Sequence, residues 1–171
     1  MVAEILSHEL EKEEEIVAEL QRLGIRYLSR ASNSSSSQKR TPAQLMAEII
    51  CQPSSRVRNA LISLFLAKPE YAAFVQEALT QVNNKQSITL KFFYTAAVFL
   101  QRKFQPNAAI LLPDLFSDEI GLSKTTAEDE LCELSKRHQK ASSLYINWQG
   151  TYENAARHLF HQWELEKTWK K

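Results

Sequence analysis

At 171 residues and a formal net charge of +1, the chain is long enough for one domain to bury about 70% of its unfolded surface, so it needs no covalent or metal staple. With only 3 glycines and 5 prolines it lacks the turn chemistry of a sandwich or barrel, and the expected class is all-α. The expected architecture is a single compact multi-helix domain around a central buried helix, with an N-terminal helical arm on a Ser-rich linker.

Residues 2–29 read as one helix. Ala3, Leu6, Leu10, Val17, Leu20 and Tyr27 recur at three and four, although Glu13 and Gly24 interrupt the seam. A shift to Ile16, Leu20, Leu23 and Tyr27 turns the second half into an amphipathic face. The serine-rich stretch that follows has nothing apolar to bury and reads as a flexible linker. The expected organisation is an arm over 1–29, a linker over 30–40 and a helical domain over 41–171.

Order resumes at Thr41-Pro42-Ala43-Gln44, an N-cap threonine, a preorganised proline and a capping-box glutamine. That helix stops before Pro53, and a second, residues 55–67, carries Val57, Leu61, Leu64 and Phe65 on one stripe. Pro69 predicts a third helix to residue 82, closed by Asn83-Asn84 in a left-handed cap.

Ser87 then caps the central helix, which between Phe92 and Leu100 has only Thr95 as a clearly polar residue. A helix apolar all round must be surrounded, and nine residues are too few to cross a bilayer, so protein is the expected surround. Arg102 and Lys103 suit the carbonyl end of its dipole. Pro106 and Pro113 frame a connector expected to be buried, Asp114 opens a short helix ended by Gly121, and Thr125–Glu128 or Thr126–Asp129 caps a helix over 126–141. The last segment carries Tyr145, Trp148, Tyr152, Ala156, Leu159 and Trp163 as an aromatic stripe, with a break expected at Gly150-Thr151.

Chemistry-bearing patterns are sparse. His158, His161 and Glu164 share one helix, but His-x-x-His is not the zincin spacing and lacks further ligands. No phosphate loop, nucleophile elbow or cysteine–histidine spacing stands out, so the expectation is a non-enzymatic protein with no cofactor and no metal. Cys51 and Cys132 read as small buried thiols, and the opening residues show no leader, which fits a cytoplasmic protein outside the membrane.

Charge is unevenly spread. Residues 1–29 hold 7 Glu against 3 Lys/Arg, whereas residues 30–103 hold 10 Lys/Arg against 3 Glu. Two functional readings follow. In the first, the chain binds a protein partner or a second copy of itself through Leu6, Leu10, Val17, Leu20, Tyr27, Trp163 and Trp169, as a regulatory or adaptor protein. In the second, the basic middle binds nucleic acid through Lys39, Arg40, Arg56, Arg58, Lys68 and Lys91. Arg56 and Arg58 open a basic second helix, but the turn before it carries Pro53 and no glycine, unlike helix-turn-helix pairs.

The runs LKFFYTAAVFLQRKF, LPDLFSDEIGL and SSRVRNALISLFLAKPEYA resemble a family of uncharacterised bacterial all-helical proteins. The resemblance covers residues 41–160 and implies a gene beside a nucleotidyltransferase-like one, hence an antitoxin-like or adaptor role. It implies no catalytic residue.

Overall fold

The computed structural model describes residues 2–28, 39–123 and 126–169, with side chains from Ser7 onward apart from that of Ala127. It is all-α, and no strand occurs among the described residues. The helices are α1 (Val2–Arg22), α2 (Pro42–Ile50), α3 (Ser55–Ala67), α4 (Val75–Thr80), α5 (Asn84–Phe104), α6 (Ser117–Ile120), α7 (Ala127–Ser142) and α8 (Trp148–Trp169), with a 3₁₀ turn, Pro69–Phe74, before α4.

Helix α5 is buried from Phe92 to Gln101, and α3, α7 and α8 pack on it. Thr95, the polar residue in its apolar run, is satisfied by donating to the Lys91 carbonyl at 2.8 Å. Helix α7 runs antiparallel to α5: His138 stacks on Phe92 near one end and Glu128 meets Lys103 near the other. Helices α3 and α8 run the same way as α5. Phe65 meets Tyr94 edge-on, Trp148 lies against Phe93, and Phe160 meets Phe104. Three N-terminal helix ends therefore share one end of the domain.

Helix α1 stops at Arg22, seven residues short of the expected end, because Gly24 adopts φ +98. Ile25 N–H donates to the Leu20 carbonyl at 2.9 Å and Gly24 N–H to that of Gln21 at 3.1 Å, a Schellman closure with Leu20 and Ile25 both fully buried. Residues 16–28 thus belong to the core rather than to a free arm. The Gln162 amide clamps this turn, donating to the Gly24 carbonyl at 2.8 Å and accepting from Arg26 N–H at 2.7 Å. Buried Ser63 gives its hydroxyl proton to the Ala155 carbonyl at 3.0 Å, so the Tyr27 hydroxyl, 2.8 Å away, donates to Ser63 and ties the end of the arm to α3 and α8. The serine run of the expected linker lies outside the described residues.

Local punctuation follows the sequence at several points and departs from it at others. Thr41 and Gln44 form the capping box, Thr126 caps α7 by accepting from Asp129 N–H, and Gly121 ends α6 in the left-handed region at φ 79. Thr125 lies outside the described residues. Asn83 is not a left-handed C-cap: it caps the N-terminus of α5 in a box with Gln86, starting that helix at Asn84 rather than after Ser87. The helix expected over 69–82 is divided, since the first six residues wind as 3₁₀ with three residues per turn, and Phe74 turns outward to 37% exposure.

The connector expected to be buried mostly is not. The buried Gln101 amide accepts from Leu112 N–H at 2.7 Å and donates to the Ile110 carbonyl at 3.0 Å, which turns Leu112 inward and leaves Ile110 and Leu111 outside. Gly150 does not break α8 but sits in its first turn, with its N–H on Asn147 Oδ1 at 2.9 Å. Tyr145 precedes the helix and is off the stripe, and Cys51, at the end of α2, is exposed rather than buried.

A cleft where three helices begin

The residues expected to bind nucleic acid do not form one basic surface. Arg40 is enclosed: its guanidinium meets Glu48 at 2.9 Å and Glu19 and Glu15 at 3.0 Å each, with a side chain only 5% exposed. Burial works against its charge, but hydrogen bonds to Glu48, Glu19 and Glu15 outweigh it and raise its pKa. Arg56 donates to the Tyr27 and Leu28 carbonyls, and Lys91 pairs with Glu119. Lys39 is exposed and Lys68 half-buried, on different parts of the chain.

The residues expected to bind a protein also divide. Leu20 is fully buried, and Val17 and Tyr27 pack against the core, so the chain's own fold consumes that stripe. Trp163 is likewise half-buried against Phe160. Leu10 at 63% and Trp169 at 84% exposure remain accessible, whereas the Leu6 side chain lies outside the described residues. His158 stacks on Tyr27 at 5.2 Å, and no group of three or more His, Cys, Asp or Glu side chains gathers in metal-holding geometry among the described residues.

What the fold does bring together lies where α3, α5 and α8 begin: a cleft of about 450 Å³. Arg58 and Lys85 line it with Asn59, Gln86, Thr89 and Thr151, over apolar surface from Phe93, Ile146 and Trp148. Among the described residues, no Asp or Glu lines it. Parallel packing points three positive helix ends at this place, each equivalent to roughly half a charge and felt within the first turn. The ends differ in how they are capped. Asn83 serves α5 and Asn147 serves α8, whereas Ser54 makes no side-chain capping bond to α3. Arg58 holds the preceding loop through the Gln52 and Pro53 carbonyls, both at 2.6 Å, and so spends its described hydrogen bonds on neutral acceptors.

Behind the cleft sits a sealed aromatic stack. His138, 1% exposed, lies between Phe92 (4.4 Å, 6° between planes) and Trp148 (3.7 Å, 21°), with Nδ1 2.6 Å from the Tyr152 hydroxyl. Burial pushes the His138 pKa down to about 3, so the ring is neutral at pH 7, and raises that of Tyr152. Trp148 belongs to both places: its ring backs His138 and lines the cleft, and its buried Nε1–H has no acceptor among the described residues.

Of these residues the sequence marks Arg58, for a different ligand, and Trp148 and Tyr152, as part of an aromatic stripe. Lys85 and Asn59 carry no motif, and His138 and Tyr152 meet across 14 positions from two helices, so no local spacing announces them. The loop before α8 adds an apolar rim, with Leu144 and Ile146 at 49% and 44% exposure and Tyr145 at 94%. Compared with family models, curated proteins and solved structures, the chain matches none, so the chemistry of the site rests on its own residues.

Proposed function

We propose that this chain is a non-enzymatic helical interaction protein of adaptor or antitoxin-like type, acting in the cytoplasm by docking a protein partner. No helix among the described residues is long and apolar enough to cross a membrane, which accords with that setting. The observation that carries the reading is the Leu144-Tyr145-Ile146 rim, three consecutive large side chains turned outward with Tyr145 94% exposed. The rim is held in shape: Ile146 N–H donates to the Leu144 carbonyl at 3.0 Å and Trp148 N–H to that of Ile146 at 2.9 Å. Contiguous exposed apolar surface marks partner sites, and tyrosine is enriched among the residues that dominate binding energy. Trp169 and Leu10 extend the accessible apolar surface to other parts of the chain.

The test is a photo-crosslinking amino acid at position 145 in cells, together with light scattering of the purified chain. One discrete heavier adduct is expected, and Leu144→Asp with Ile146→Asp should abolish it without altering the circular dichroism spectrum. A chain that stays monomeric and yields no adduct overturns the reading.

A further inference from the structure

The rim accounts for the outer edge of the loop before α8 but not for the cleft beneath it. We propose that this cleft is a binding site for a small organic anion: a carboxylate or phosphate held by Arg58, Lys85 and the uncapped first turn of α3, with a flat apolar body against Trp148, Phe93 and Ile146.

Four observations converge on this assignment. Three helices of 13, 21 and 22 residues begin around one cavity, so their positive ends add there and outnumber the two carbonyl ends on the same side, those of α2 at Ile50 and of α7 just before Leu144. Two cations line the cavity and, among the described residues, no Asp or Glu does, so its lining side chains carry a net positive charge. Trp148, 8% exposed, lines the cavity, and its enclosed Nε1–H has no acceptor among the described residues, whereas buried donors in folded proteins are almost always paired. The polar groups converge at the edge of an apolar floor, the usual division of labour in small-molecule pockets.

Shape and charge select the ligand class. At about 450 Å³ the cleft lies in the range that holds small molecules, roughly 300–1,000 Å³. Outside it, Arg40, Arg56 and Lys91 are engaged by the protein, so the basic residues make no continuous track for a polyanion. A bare inorganic ion would leave the accessible apolar lining, Leu144 and Ile146 at 49% and 44% exposure, uncovered.

The experiment is a nuclear magnetic resonance titration of the full chain with 2-naphthoate, 2-naphthyl phosphate, neutral 2-naphthamide and inorganic phosphate. The two naphthyl anions should move the Trp148 indole N–H resonance and the amides of Ser55 to Val57, with affinity that falls as salt is added. The neutral amide should bind about tenfold more weakly, as expected for loss of one charge interaction at a partly buried site. Lys85→Glu should weaken naphthoate by about the same factor and leave the urea midpoint unchanged, because Lys85 is exposed at the rim. The assignment is overturned if the Trp148 resonance stays still in both anions, if the amide matches the acid, or if inorganic phosphate binds as tightly as naphthyl phosphate. Because the crosslink at Tyr145, which does not line the cleft, reports on protein docking separately, failure of one reading is distinguishable from failure of the other.

Discussion

Arg40 and Arg58 are the same residue type in the same basic segment, and the fold treats them in opposite ways. Arg40 is surrounded by Glu15 and Glu19 of α1 and Glu48 of α2, all its guanidinium nitrogens bonded to carboxylates. It is a latch that joins the N-terminal helix to the domain. Among the described residues, Arg58 meets only the carbonyls of Gln52 and Pro53, in a cleft lined by no acidic side chain. The lesson is that a basic residue's meaning lies in its counter-charge. Where the chain supplies the anion the cation is structural, and where it supplies none the site is open to one from outside.

Acid should make the largest difference between the two places. Trp148 in the Arg58 cleft is backed by His138, whose folded-state pKa of about 3 lies below the ordinary 6.5. A depressed pKa means the unfolded chain binds the proton first, so this stability is complete above about pH 6.5 and is lost progressively as pH falls toward 3. The loss reaches about 4 kcal/mol at the acid end of that window. Urea midpoints from pH 7 to pH 4 should fall along this limb, and the limb should shrink in His138→Gln. An unchanged limb in the variant breaks the assignment.

Next in size is Arg40→Ala, which leaves three carboxylates facing one another without their cation. Because those glutamates are 44%, 12% and 30% exposed, solvent screens part of the loss, and about 2–3 kcal/mol is expected. Chemical denaturation should show it, and protease should cut within α1 before the rest of the chain. Arg58→Ala should cost less, about 1–2 kcal/mol for charge-assisted bonds to carbonyls that water can replace. The same variant should abolish naphthoate binding, whereas Arg40→Ala should leave that binding in place. Equal effects of the two substitutions on affinity would erase the contrast. Lys85→Glu is expected to shift stability by no more than about 0.5 kcal/mol, measured as a thermal midpoint.

Much of the secondary structure was readable from short patterns because the physics there is local. Thr41 and Gln44, three residues apart, complete a hydrogen-bonded box whatever the rest of the chain does, and the apolar run of α5 demands burial in any compact fold. Asn83 shows the limit. An Asn-Asn pair suits the end of one helix or the start of the next, and the glutamine at position 86 decided for the latter. The connector shows another, since its apolar residues predicted burial while a single buried amide on Gln101 set which of them turned inward. Leu20 and Tyr27 were legible as an apolar face, but not that the face would be used within the chain.

The all-α class, the principal helices and the buried α5 segment follow from residue order alone, because periodicity and capping act over three or four residues. Helix packing set the rest: that α3, α5 and α8 run parallel, that Arg40 is neutralised by carboxylates while Arg58 is not, and that Trp148 joins a sealed stack to an open cleft. Those outcomes depend on groups far apart in the chain meeting at hydrogen-bond or stacking distance, where the direction and counter-charge of a neighbouring element outweigh any local preference.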